Sequence, residues 1–419
     1  MKKILIDGRF IGVGDSMSRY VLGFLSHLPV DSDLEFTLLV RPQGKKIAEQ
    51  FLGSPSSVNR NPENGRRITD NLSIDVLDIP HYSLKEQTTL LRYLNREKFD
   101  LVHFIQFNHP ILYRGKFVVT VHDLTLFGHL YRKNKVKGAA FQQVMKSAVN
   151  NSAKVIAISN ATKQAIVDNY GIDSKKIAVT YLAVDEKYNT GIRNKVEGIR
   201  LAKSKYKITG DYILYTGMWK RHKNIIRMLK AFEQYSLTVN RSPFSNSKSD
   251  NGQRNTGNGL QLVLAGKIDQ NEPEVIDEIK RINTVLSDNG QRKTENAAIL
   301  AVGFVDEADL PYLYSGALAY CIPSLSEGFG LPPLEAMACG TPVISSNVSA
   351  MPEILGDAPL YFDPYGIQEI EKTIKRIVID EKLRVELSKK GIEQAAKYSW
   401  SKTAKETLKV YIEALESSR

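Results

Sequence analysis

Twelve short apolar runs mark the chain at intervals. They read KILIDG, FTLLV, SIDVLDI, LVHFI, FVVTV, KVIAIS and KIAVTYLA, then YILYTG, LQLVLAG, AAILAVG, LAYCIPS and TPVISS. Most are separated by stretches long enough for a helix, such as 142–152 and 224–236. Runs that are apolar throughout, rather than at every second residue, predict strands buried on both faces, and interleaved helices predict parallel sheets covered on each side. The expectation is α/β architecture, twice over.

The first series ends near Val184 and the second opens at Tyr212, with a polar, charged stretch from Asp185 to Gly210 between them. That spacing divides the chain into a domain over 1–190, a domain over 205–398 and a terminal helix over 399–419. The terminal stretch SWSKTAKETLKVYIEALE offers Ser399 or Ser401 as a cap and Leu408, Tyr411, Ile412 and Leu415 at helical spacing. It predicts a packed helix, and periodicity leaves open which domain it covers. Two stretches, 53–71 and 241–259, are rich in Ser, Asn and Gly and read as surface loops.

Length agrees with this division, because 419 residues exceed one ordinary core. With 42% hydrophobic and 25% charged residues the composition has no fibrous or disordered bias, and no apolar run approaches the ~20 residues of a membrane span. Asp7 and Arg9 interrupt the apolar start too early for a secretory leader, so a cytoplasmic protein is expected. Cys321 and Cys339 suggest neither a disulfide framework nor metal ligation, and read as core thiols. A net charge of +11 implies attraction to phosphorylated substrates, an acidic membrane surface or nucleic acid. No basic platform interleaved with aromatics supports nucleic acid.

In open parallel sheets, ligands bind beyond the carboxyl ends of strands. The residues found there are Gly12 and Gly14 after the first run, His122 and Asp123 after FVVTV, and Ser159 after KVIAI. In the second series they are Gly217 after YILYT, Gly266 and Lys267 after LQLVLA, and Glu327 after LAYCIPS. The pattern predicts two sites facing one interdomain cleft. GVGDSMSRY lacks the third glycine of a dinucleotide fingerprint, which argues against a nicotinamide cofactor, and no other cofactor is indicated. DSD at 31–33 precedes a strand and reads as a surface turn rather than a metal site.

The richest stretch is EGFGLPPLEAMACGTPVISS. Pro332 and Pro333 suit a first helical turn, LEAMA continues the helix and Gly340 ends it. Gly328 and Gly330 let backbone N–H groups, with Phe329 and Leu331, approach a diphosphate at the helix start. Glu335, placed by this reading in the first turn, can accept both hydroxyls of a ribose, and Glu327 can address a second polyhydroxyl group. Such a set describes a sugar joined to a nucleoside by a diphosphate. A leaving diphosphate needs countercharge, for which TGMWKRHKN supplies Lys220, Arg221 and Lys223, with Lys223 the first choice and Arg221 the second.

Together these residues resemble the retaining glycosyltransferases of family 4, which have the two-domain GT-B fold. The resemblance covers nearly the whole chain. It rests on the Glu327-x7-Glu335 spacing, GFVDEADLPYLYSGA at 303–317, the Lys223-Asn224 pair, TVHDL around His122, IAISNATKQAI at 156–166 and YLAVD at 181–185. The HDL context and PHYSLKEQTTLL look most like mannosyltransferase-type members that act on lipopolysaccharide or exopolysaccharide precursors. The resemblance implies two Rossmann-like domains, the second holding a nucleotide sugar and the first a glycan or lipid-linked acceptor. It further implies that Glu335 holds ribose, that Glu327 with residues 328–331 holds the donor sugar and phosphate, and that Lys223 and a neighbouring Arg neutralise the diphosphate. Gly217 and Gly266 would line the donor side, Gly12 and Gly14 the acceptor side, and His122 would lie near the reacting sugar, with no metal required.

The sequence departs from that pattern in three places: Met218 stands where many members carry Arg, Leu182-Ala183 replaces Asn-Gly, and the first glycine loop is longer than usual. Residues 130–149 add Arg132, Lys133, Lys135, Lys137 and Lys146, a candidate contact for anionic lipid at the inner face of a membrane. Two other functions share the fold, nucleotide-sugar 2-epimerase and glycan phosphorylase. A non-catalytic anion-binding scaffold is a third.

Overall fold

The computed structural model describes residues 1–13, 16–29, 33–53, 71–124, 135–189, 195–240, 259–267, 272–288 and 298–417. Each of the twelve apolar runs forms a strand: β1 Lys2–Asp7, β2 Leu34–Val40, β3 Leu72–Val76, β4 Leu101–Phe104, β5 Phe117–Val121, β6 Lys154–Ala157, β7 Ile177–Val179, β8 Tyr212–Thr216, β9 Gln261–Ala265, β10 Ile299–Gly303, β11 Ala319–Ile322 and β12 Val343–Ser346. A further strand, β13 Leu360–Phe362, lies outside the twelve runs.

The strands form two parallel sheets in two compact units. Met1–Ala183 with Tyr398–Arg419 holds seven strands in the order β3-β2-β1-β4-β5-β6-β7, and Val184–Lys397 holds six in the order β10-β9-β8-β11-β12-β13. β4, β5, β8, β9, β11 and β12 are buried at every residue, which is why their runs are continuously apolar.

The charged stretch after Val184 is not a bare connector. Its helix Lys195–Lys205 packs on the helix Leu310–Gly316 of the second unit, so tightly that a Cβ on Gly198 would lie 2.2 Å from the Tyr312 ring. Lys205 Nζ donates to Asp306 at 2.7 Å and to Asp309 at 2.6 Å.

The C-terminal helix Trp400–Glu416 packs on the first unit. Ser399, rather than Ser401, caps it, accepting from Lys402 N at 3.3 Å. Gly23, in the helix Ser16–Leu25, makes room for Trp400, because a Cβ there would lie 2.5 Å from the indole. Tyr411 OH meets His103 Nδ1 at 2.6 Å, and Lys116 Nζ donates to the carbonyls of Leu415 and Ser417. Of the four apolar positions expected to pack, Leu408 and Tyr411 are buried and Leu415 is half-buried, but Ile412 is exposed.

Asp7 and Arg9, which interrupt the first apolar run, are buried. Arg9 Nε and Nη2 donate to Asp7 at 2.7 Å each, and Nη2 also donates to Glu86 at 2.7 Å. Burial works against the Asp7 charge, yet the guanidinium outweighs it and holds the carboxyl below its ordinary range. At Glu86 burial prevails over Arg9 and pushes the carboxyl up. Among the described residues no helix is long and apolar enough to cross a membrane.

Candidate functional site

In the second unit, β8 ends at Thr216 and the chain passes through Gly217 into a 3-10 turn, Arg221–Lys223. Asn224 follows in the left-handed region at φ 59°, and its buried amide donates to Pro323 O at 3.0 Å and Pro364 O at 2.8 Å. Leu325 N donates to His222 O at 2.7 Å, tying the same turn to the exit of β11. These bonds fix Lys223 beside Glu327. Its Nζ lies 2.6 Å from Glu327 Oε1, and the two side chains are 20% and 12% exposed. Ser324 Oγ donates to the same oxygen at 2.6 Å. Ser349, after β12, brackets the Glu327 backbone: its hydroxyl donates to Glu327 O at 2.7 Å and lies 3.2 Å from Glu327 N.

Beyond Glu327 the chain reaches Gly330, at φ 93°, which caps the helix Leu331–Ala338. A Cβ at 330 would lie 2.4 Å from Met351 Cε, so the bare residue also answers a packing demand. Pro332 and Pro333 fall in the first turn as expected, but Glu335 does not: it is the fifth helical residue and 3% exposed. The expectation counted from the prolines, whereas the helix starts at Leu331, one residue before them. Glu335 thus faces inward, where Tyr314 OH donates to its Oε2 at 3.0 Å. Burial, joined by the charges of Glu327 and Glu335, holds the Tyr320 hydroxyl far above the ordinary phenol range.

Gly217 and Gly266 close the β8 and β9 ends with φ of 141° and 134°. A Cβ on Gly266 would lie 2.0 Å from Gly217 O, so this pair is needed for backbone to pass backbone. Phe329 and Leu331 are buried, and Gly328 is half-buried. Arg221 is exposed and, with Lys220, Arg227, Lys230, Glu272 and Glu274, lines a cavity of about 350 Å³ whose lining includes neither Lys223 nor Glu327. Met218, where Arg was expected from the resemblance, is 48% exposed.

In the first unit, His122 leaves β5 as predicted and is buried. Its Nε2 lies 2.9 Å from Ile105 O, a carbonyl that can only accept, so that nitrogen carries the hydrogen. Burial lowers its pKa and keeps the ring neutral. Tyr20 packs edge-on against it at 5.2 Å. Ser159 caps the helix Asn160–Tyr170, accepting from Thr162 N at 3.0 Å. Gly12, at φ 89°, packs against Gln43, where a Cβ would lie 2.9 Å from the carbonyl. Gly14, the Asp31 and Ser32 of DSD, Arg132, Lys133 and the Lys137 side chain lie outside the described residues, while Lys135 and Lys146 are exposed on the helix Lys135–Asn151.

The structure therefore joins Lys223 to Glu327, while Arg221 lines the cavity of about 350 Å³ and does not join that pair. It also adds Thr216, Tyr314, Ser324 and Ser349, which the sequence pattern does not single out. Ser349 could be found by extending the strand-exit rule to β12. Tyr314 leaves no such signal.

With this geometry in place, relationships become informative. Residues 200–394 match the family model described as glycosyl transferases group 1, and residues 18–188 match that of Glycosyltransferase Family 4. O-antigen chain mannosyltransferase B of Escherichia coli is 28% identical over 298 residues, 70% of this chain and 69% of that protein. The serotype-specific mannosyltransferase WbdA of Escherichia coli is 31% identical over 265 residues, 63% of this chain but only 29% of that longer protein. The crystal structure of Anabaena Alr3699/HepE, in complex with UDP and glucose, superposes with a TM-score of 0.69 at 17% identity, covering 98% of this chain and 100% of that one. That likeness extends the GT-B fold to this chain.

Proposed function

Because the chain belongs to the glycosyltransferases in which a Family 4 domain precedes a group 1 domain, we propose that it moves a hexose of mannose or glucose type from a nucleotide-diphosphate sugar to a glycan or lipid-linked acceptor in cell-surface polysaccharide assembly. The single observation that carries the reading is the Lys223–Glu327 contact of 2.6 Å, three residues before the Gly330 turn. A cation and a carboxylate, each held in place by partners from other elements, are the two groups that a departing diphosphate and a polyhydroxyl sugar require.

On donor binding, Lys223 turns to the diphosphate and Glu327 accepts sugar hydroxyls, while Glu335 accepts the ribose diol and the 328–331 backbone faces phosphate. The bond from the anomeric carbon to the diphosphate oxygen breaks, the acceptor oxygen attacks from the same face, and its proton passes to the leaving diphosphate. The configuration is retained. Lys223 supplies the countercharge, so the reaction proceeds without a divalent cation. The first unit binds the acceptor, with the neutral His122 near the reacting sugar as a hydrogen-bonding group. The mannosyltransferase names of the relatives support mannose over glucose. The exposed Lys135, Val136 and Lys146 support contact with an anionic membrane surface that carries a lipid-linked acceptor.

The test is acceptor-dependent release of nucleoside diphosphate from a panel of UDP- and GDP-hexoses, in EDTA, with the anomeric configuration of the product read by NMR. Release that needs acceptor and is lost in both Glu327→Gln and Lys223→Ala supports transfer. Isomerised donor without acceptor points to an epimerase, dependence on inorganic phosphate points to a phosphorylase, and binding without turnover points to a scaffold.

A further inference from the structure

We propose that Tyr314 is a positioning residue of the donor site: its hydroxyl, itself held by Thr216, fixes the Glu335 carboxylate in the orientation that accepts the two hydroxyls of a nucleotide ribose. This rests on the reading of Glu335 as a ribose binder and adds what orients it. Glu335 lies on the inner face of its helix at 3% exposure, where a carboxylate needs hydrogen-bond donors to remain ionised. Tyr314 OH supplies one at 3.0 Å from Oε2. A carboxylate offers roughly four lone-pair positions, two of which a ribose diol would take.

Tyr314 is well suited to the task because three contacts fix it independently of Glu335. Thr341 Oγ1 donates to its carbonyl at 2.6 Å, and its ring packs against Tyr188 and Tyr320 at centroid distances of 5.9 and 5.6 Å. Its hydroxyl, giving its one proton to Glu335, receives one from Thr216 Oγ1 at 2.8 Å. Thr216 is the last residue of β8, and its carbonyl accepts from Tyr320 OH at 3.2 Å. The hydrogen bonds thus run from strand end to phenol to carboxylate, and each strengthens the next. Burial and the Glu335 charge hold the Tyr314 hydroxyl far above the ordinary phenol range, so it stays a donor at neutral pH.

The test is calorimetric binding of UDP, GDP and ADP, then of the 2′-deoxy analogue of the tightest, to the wild type, Tyr314→Phe, Thr216→Val and Glu335→Gln. Loss of the pre-organised carboxylate predicts that Tyr314→Phe binds the ribonucleotide about tenfold more weakly. Its preference for ribose over 2′-deoxyribose should collapse toward one. Thr216→Val moves the same ratio in the same direction by less. A wild-type ratio in Tyr314→Phe overturns the proposal while leaving the ribose reading intact if Glu335→Gln loses the preference. Should Glu335→Gln keep it, or should the wild type bind no ribonucleotide, the ribose reading fails and the proposal with it. If Tyr314→Phe does not fold, an unchanged ratio in Thr216→Val overturns the proposal, since that hydroxyl touches Tyr314 and not Glu335.

Discussion

β1 and β8 occupy corresponding places in their sheets, each flanked by the strand that follows it and by the strand that begins the second half, yet their ends differ. β1 ends in Asp7, and the turn after it buries Arg9 against Asp7 and Glu86. β8 ends in Thr216 and the bare Gly217, and the cations after it stay at the surface or meet Glu327. At the same topological point one unit uses charge to close its interior and the other keeps it in a partly exposed pair. A salt bridge sealed inside is hard to exchange for a ligand, because its ions have already lost water. A partly exposed pair can be exchanged.

Four experiments sharpen or break that contrast, and the two tryptophans make it measurable, since Trp400 belongs to the first unit and Trp219 to the second. The largest effect is expected from Arg9→Leu, which leaves Asp7 and Glu86 buried without their cation and should cost the first unit about 3–5 kcal/mol. Urea unfolding followed by Trp400 fluorescence in a Trp219→Phe background checks this; an unshifted midpoint would dissolve the contrast. Next, Glu327→Gln and Lys223→Ala should each lower kcat/KM by about a hundredfold or more with unfolding midpoints close to wild type. Equal loss of stability in these variants would make the second pair structural as well.

Acid should separate the units. Burial lowers the pKa of His103 to about 3 and of His109 to about 4, and lowers that of His122 too, all in the first unit. A group neutral in the folded protein and protonated in the unfolded chain gives stability that is intact above about pH 6.5 and lost as pH falls toward those values. The Trp400 transition should therefore drop by about 10 °C between pH 7 and pH 4, and the Trp219 transition by less. Smallest of all, Met218→Arg should tighten nucleoside diphosphate binding by about two- to tenfold, with binding weakened again at higher salt. No change would place position 218 away from the diphosphate.

Much of the fold is legible because a strand buried on both faces, such as β5 or β8, declares itself over neighbouring residues; all twelve runs are strands, although β3 and β10 are mostly part-exposed rather than buried on both faces as expected. The apolar stretch of β13, Leu360–Phe362 between Pro359 and Asp363, is too brief to read as a run, whereas the equally short β7 lies inside the longer run KIAVTYLA. The site is legible in part for the same reason. EGFGLPP states its turn and its helix start locally, whereas Tyr314 lies inside a run that reads as an ordinary lead-in helix. Asp7 and Arg9 look like an interruption of an apolar strand until Glu86, 77 positions later, arrives beside them.

By itself the sequence determined the two α/β halves, the strand exits and the presence of Glu327, Glu335 and Lys223 among them. Only tertiary structure decided that Lys223 reaches Glu327 across 104 positions, that Glu335 faces inward to Tyr314, and that Arg221 lines a cavity with Lys220 and Arg227. The division has a physical cause. Backbone geometry and apolar periodicity are set by near neighbours along the chain, while the partner of a buried charge is set by which loops the folded sheet brings together.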